Sequence, residues 1–186
     1  LPRIIQYHQL QDLFRCLNHE HHAFIQRDKA VIELLISTGI RVSELCAIKR
    51  KDIDLKDQYL IIYGKNAKER VIYLTDDVCK ALKNYELTFY DYIHQQDYFF
   101  MNNQYHRLTD QSVRHIINHY THGYHITPHM FRHTFATMLL EQDVDITYIQ
   151  KILGHSSITT TSIYAYASLQ RQKEIMMHKN PRHLIK

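Results

Sequence analysis

The stretch TPHMFRHTFATMLLE, residues 127–141, carries a helix and a candidate chemistry together. Thr127 is a good N-cap, and Pro128 suits the first helical position, where a backbone donor would go unpaired anyway. Phe131, Phe135, Met138 and Leu139 recur at helical spacing and form a stripe expected to face a core. His129 and Arg132, three apart, share a different face one turn from the helix N-terminus. That end offers partial positive charge and open donors, a favourable place for a phosphate. Standing alone, an H-x-x-R pair on a helix reads most simply as a surface pair.

Outward from this helix the pattern stays mostly helical. Helices are expected over residues 9–18, 27–38, 76–92, 109–120, 128–141 and 146–153, and again from about Ser168. Gly39 closes the second of these, and Arg41 leads a short helix with Val42, Leu45 and Ile48 turned inward. The period changes at Tyr59 to Tyr63 and Arg70 to Leu74, which are rich in β-branched and aromatic residues. GKNAKE between them is turn chemistry, giving a hairpin with Lys65 and Lys68 near its tip. The fold class is therefore mainly α with a small antiparallel β-sheet (α+β).

Composition sets wider bounds. A chain of 186 residues with 45% hydrophobic content suffices for one well-cored domain. Its net charge of +4 suggests a polyanionic partner without demanding one. Fifteen histidines make any such affinity pH-sensitive. Cys16, Cys46 and Cys79 are widely spaced with no CxxC pair and read as reduced thiols of a cytoplasmic protein. No apolar run approaches the roughly 20 residues a membrane span needs, and no secretory signal opens the chain. His129 and His133 have the spacing of zinc proteases, but HMFRH lacks their glutamate and sets Arg132 between them. The HEHH stretch around Glu20 to His22 reads as a solvated loop, and neither a metal nor a cofactor is expected.

Several other side chains invite a plain structural reading when taken singly. Arg41 can tie down a loop with Glu44, three residues on, as its ion-pair partner and buttress. Lys65 can simply decorate a hairpin tip, and His155 can cap the helix that Gly154 ends. Tyr164 has Tyr148 and Tyr166 as neighbours competing for any role.

In combination they point elsewhere. The segments TGIRVSELCAIKRKDID, GKNAKERVIYL, HMFRHTFATMLLE and IQKILGHSSITTTSIYAY resemble the successive boxes of tyrosine recombinase (phage integrase family) catalytic domains, in the same order. The resemblance covers roughly residues 1–167. It implies that Arg41 and Arg132 clamp a phosphate, Lys65 is the general acid and His129 the proton acceptor. It makes His155 a further donor and Tyr164, nine residues after His155, the nucleophile. Phe131 stands where leucine is usual, and Gln142–Asp143 where an Asn–Gly-like turn is common.

The implied chemistry suits these residue types. Tyrosine attack on a phosphodiester builds negative charge on the nonbridging oxygens, which two forked guanidiniums hold well. The tyrosine must lose a proton and the 5′ oxygen must gain one. The resulting 3′-phosphotyrosine bond keeps the phosphodiester's energy, so a second 5′ hydroxyl can rejoin the strand without ATP or metal. The resemblance further implies a single C-terminal catalytic domain over residues 1–186, with an N-terminal core-binding domain lying outside this stretch. Double-stranded DNA is the implied partner. The helix around residues 168–178 is expected to pack on a neighbouring protomer in a tetramer on DNA, so that deleting residues 168–186 impairs synapsis more than cleavage. Lys49, Arg50, Lys51, Lys68 and Arg70 are candidate phosphate contacts. Two other readings stay open: a type IB topoisomerase with the same chemistry, and a DNA reader that no longer cuts.

Overall fold

The computed structural model describes residues 4–64, 69–154 and 162–185, with side chains in the last stretch described from residue 169. Nine α-helices and a three-stranded sheet are found among them. Helix α2 (Ile25–Thr38) is the hub. It is buried around nearly its whole circumference and packs against α4 (Asp76–Thr88) and α7 (Pro128–Glu141). Its two buried charged groups at the start, Arg27 and Asp28, pair with each other at 2.7 Å. Helix α1 (Tyr7–His19) lays Leu10, Leu13, Phe14 and Leu17 on the same core.

Short α3 (Val42–Ala47) leads through a 3-10 turn at Arg50–Asp52 into β1 (Ile53–Asp54). β1 pairs antiparallel with β2 (Tyr59–Tyr63), which pairs antiparallel with β3 (Glu69–Tyr73), Ile61 facing Val71. The hairpin expected from sequence is thus the larger part of a three-stranded sheet. Lys65 and Lys68 between its strands lie outside the described residues.

The helix expected over residues 76–92 is two helices, α4 and α5 (Tyr90–His94), broken at Phe89. Phe89 continues the apolar period, but its backbone leaves the helical region at φ −120°, and its ring stacks on Phe24 at 5.5 Å. Helix α6 (Asp110–Tyr120) fills the expected range apart from Thr109, which caps it. In α7, the Thr127 hydroxyl accepts from the Met130 N–H and Pro128 opens the helix. Phe131, Phe135 and Leu139 are buried, and Met138 packs at the core's edge. Asp143 follows in the left-handed region at φ 57°, where Asp is among the few side chains tolerated. Helix α8 (Ile146–Leu153) ends at Gly154.

The last helix, α9 (Ser162–His178), begins earlier than the sequence pattern suggests. Its C-terminal half and the 3-10 turn after it pack on their own chain: Ile175 and Met176 are buried, Asn180 donates to the Ser37 carbonyl at 2.8 Å, and Arg182 forks onto buried Glu33 at 2.8 and 3.0 Å. Removing residues 168–186 takes away part of the core as well as any surface offered to a neighbour. No helix among the described residues is long and apolar enough to cross a membrane.

Candidate active site

Two helix C-termini and one strand define the site. Helices α2 and α8 each end on a glycine in the left-handed region, Gly39 at φ 60° and Gly154 at φ 73°. Both positions also exclude a side chain. A Cβ on Gly39 would sit 2.6 Å from Phe135 Cδ1, and one on Gly154 would sit 2.7 Å from Arg70 Nη1. The carbonyls at these ends carry partial negative charge. Arg132, projecting from α7, bridges them: Nη1 donates to the Gly39 carbonyl and Nη2 to the Leu153 carbonyl, each at 2.8 Å. The two side chains expected to share a face of α7 therefore differ in exposure. His129 is exposed, whereas Arg132 is only 8% exposed.

Arg41 stands at the N-cap of α3, immediately beyond the turn that ends α2. Glu44 reaches back to its backbone N–H at 2.8 Å, one half of a capping box, and also accepts from Arg41 Nη1 at 3.0 Å. The buttress expected from the three-residue spacing is present. Arg41 keeps a side chain 44% exposed, so its guanidinium is open to a ligand while Glu44 holds its base.

Arg70, a candidate phosphate contact by sequence, is turned inward. Its Nη1 and Nη2 donate to the two Glu44 carboxylate oxygens at 2.9 and 2.8 Å, and Nε donates to the Ile152 carbonyl at 3.0 Å. Arg50 likewise binds Glu86 and the Ile53 carbonyl. Lys51 is exposed, and the Lys49 ammonium lies 5.7 Å from the Tyr98 ring. Arg107, which the sequence reading did not single out, stacks over the same ring at 4.0 Å and donates to the Cys46 carbonyl. Lys65, Lys68 and His155 lie outside the described residues. Tyr164 falls on α9, and its side chain is outside them too.

The electrostatics follow from this convergence. Burial and then the nearby Arg41 charge push the Arg132 guanidinium down to about 10, with Glu44 opposing and Arg70 adding to the shift. Burial alone would raise the Glu44 carboxyl, but hydrogen bonds from Arg70 and the Arg41 backbone, with both charges, hold it below its ordinary value. Two guanidiniums, those of Arg41 and Arg70, thus share the Glu44 carboxylate, and Arg132 stands near enough to feel its charge. The surplus is positive, forked and partly desolvated, which is the chemistry of a site that holds an oxyanion.

A mainly helical domain that gathers arginines from distant segments around one glutamate matches a known class. The family model of the phage integrase family matches residues 3–171, and the chain belongs to that family. It is 52% identical over 161 residues to a tyrosine recombinase of Agathobacter rectalis, covering 84% of this chain and 53% of that protein. Among solved structures, the XerA recombinase superposes with a TM-score of 0.75 at 29% identity, covering 94% of this chain and 65% of that one. The XerH site-specific recombinase bound to palindromic difH substrate, in a post-cleavage complex, gives 0.71 at 28% identity, covering 94% and 52%. The chain therefore spans about half the length of the Agathobacter relative.

Proposed function

We propose that this chain is the catalytic part of a site-specific recombinase that cuts and rejoins duplex DNA through a 3′-phosphotyrosine intermediate. The observation that carries the reading is the approach of Arg132 to Arg41: Arg132 donates to the carbonyl of Gly39, two residues before Arg41, although the two arginines lie far apart in sequence. Arg41 grips a nonbridging phosphate oxygen from the open side, and Arg132 supplies a second guanidinium from a fixed, buried base. His129, exposed in the first turn of α7, takes the nucleophile's proton. Lys65 protonates the departing 5′ oxygen, His155 adds a donor, and Tyr164 attacks.

Duplex DNA is the partner in this reading, with Lys49, Lys51 and Arg107 near Tyr98 as candidate phosphate contacts beside the site. Assembly as a tetramer on DNA is part of the same proposal, with the exposed residues 169–171 of α9 as the surface offered to a neighbour. The resemblance of the fold to a recombinase solved on its DNA substrate supports the reading. It is tested by incubating the protein with nicked duplexes drawn from the DNA flanking its gene. A protein–DNA adduct that survives denaturant is expected. Binding without any adduct, on a site shown to be in the pool, would favour a DNA reader.

A further inference from the structure

The ends of α1 and α6 bring together metal-binding side chains that take no part in the arginine site. Cys16 lies in the last turn of α1 and Glu20 caps its end, while His119 lies in the last turn of α6 and His122 follows just past its cap. Cys16 Sγ lies 3.5 Å from Glu20 Oε1 and 3.4 Å from His122 Nε2. Donors held on a tetrahedral zinc ion at about 2.0–2.3 Å stand roughly 3.3–3.8 Å from one another. One sulfur, one oxygen and one nitrogen thus already approach ligand spacing, and all three lie within 4.8 Å of each other. The other Glu20 oxygen, Oε2, accepts from His119 Nε2 at 2.7 Å. Such an outer hydrogen bond is what orients a ligating carboxylate.

His22 stands in the same cluster but is otherwise engaged. Its Nε2 donates at 2.7 Å to the Tyr120 hydroxyl, whose own proton goes to Asp28 at 2.9 Å, and its Nδ1 accepts from the Phe24 N–H at 3.2 Å. The HEHH stretch, expected to be a solvated loop, therefore divides: Glu20 is half-buried in a donor cluster, and His21 and His22 are exposed.

We propose that Cys16, Glu20 and His122 bind a divalent ion of the zinc class, with His119 orienting Glu20 and water in the fourth position. The donor set selects the ion. A thiolate and an imidazole suit zinc or cobalt and not magnesium or calcium, which require oxygen ligands. Binding releases the Cys16 thiol proton to solvent, and thiolate plus carboxylate then balance the two positive charges. Cys16 and Glu20 are half-buried and His122 is exposed, so the ion enters directly from solvent. Once bound, it pins α1 to the chain leaving α6, a link that closes 106 residues.

Cobalt(II) titration of the reduced, chelator-treated chain tests the site. The wild type should develop a thiolate-to-cobalt charge-transfer band that saturates at one equivalent and is displaced by zinc. Cys16→Ser should abolish the band although Cys46 and Cys79 remain. His119→Ala should weaken zinc binding about 10- to 100-fold. His122→Ala, at an exposed position, gives a second ligand deletion that leaves the core intact, and it should lose the same saturation. Metal-free melting curves of each variant matching the metal-free wild type assign the losses to the ligands. No band in the wild type, or a band unchanged in Cys16→Ser, would overturn the proposal.

Discussion

Arg70 and Glu44 meet fork to fork, two guanidinium nitrogens on two carboxylate oxygens at 2.9 and 2.8 Å, linking strand β3 to helix α3. Glu44 in turn holds Arg41 by backbone and side chain. The position of the outermost arginine is thereby set from the sheet, through a carboxylate. Arg70 also donates to the Ile152 carbonyl, near the carbonyl that Arg132 holds, so it ties the two arginines' supports together.

Arg70→Lys keeps the charge and loses the fork. Since a misplacement of about 1 Å at a reacting centre costs on the order of 100-fold in rate, strand cleavage should fall by about that factor. Affinity for duplex DNA should change little, because Arg70 faces inward. Gel-shift and cleavage assays on the same substrate measure the two; a parallel loss of binding would return Arg70 to the phosphate contacts.

Glu44 gives stability a pH dependence of definite sign. Its folded pKa lies below the ordinary value of 4.5, so its contribution is full above that pH and is lost as pH falls through the folded value. Glu44→Gln should flatten the acid limb of the stability curve. Urea unfolding from about pH 6 down to about pH 3 reads this out, and an unchanged limb would contradict it.

Arg132→Lys cannot bridge the Gly39 and Leu153 carbonyls with one ammonium in the same geometry. Losing one charge-assisted hydrogen bond should destabilise the fold by about 1.5–3 kcal/mol, seen as a lower urea midpoint at unchanged slope. Wild-type stability in this variant would show that the bridge contributes nothing to folding.

Two left-handed glycines offer an internal control. Gly39→Ala meets both an unfavourable φ and the Phe135 ring, whereas Gly123→Ala, at φ 83°, meets nothing within 4 Å. Both should pay a conformational penalty of about 1–2 kcal/mol, and Gly39→Ala should lose about 1–3 kcal/mol more to overpacking. Equal losses would show that the packing around Gly39 yields.

Truncation before Asn180 should unfold or strongly destabilise the chain. It removes Arg182 from buried Glu33, and breaking a buried pair on one side costs about 3–5 kcal/mol. A truncated chain that melts with the wild type, and fails only in assembly on DNA, would restore the expectation drawn from sequence.

Where signals are local, the sequence was readable. Thr127 and Pro128 announce the start of α7, and Gly39 and Gly154 announce two helix ends, because caps and stops are written within a few residues. The Arg41–Glu44 pair was legible for the same reason. The break at Phe89 was not, since the ring it stacks on, Phe24, lies 65 residues away in the turn before α2. Nor was the inward turn of Arg70, because its partner lies 26 residues away across the sheet. A surface arginine and a buttressing one look identical in composition. The Cys16–His122 cluster was hidden on the same ground: its donors come from the ends of two helices 106 residues apart until the fold joins them.

The central claim is that Tyr164 is the nucleophile of a phosphate site held by Arg41 and Arg132. The most direct measurement compares wild type and Tyr164→Phe on a nicked duplex, run on a denaturing gel. The account predicts a denaturant-resistant adduct in the wild type that vanishes in Tyr164→Phe while DNA binding persists. An adduct that survives in Tyr164→Phe would move the nucleophile to another residue and contradict the assignment.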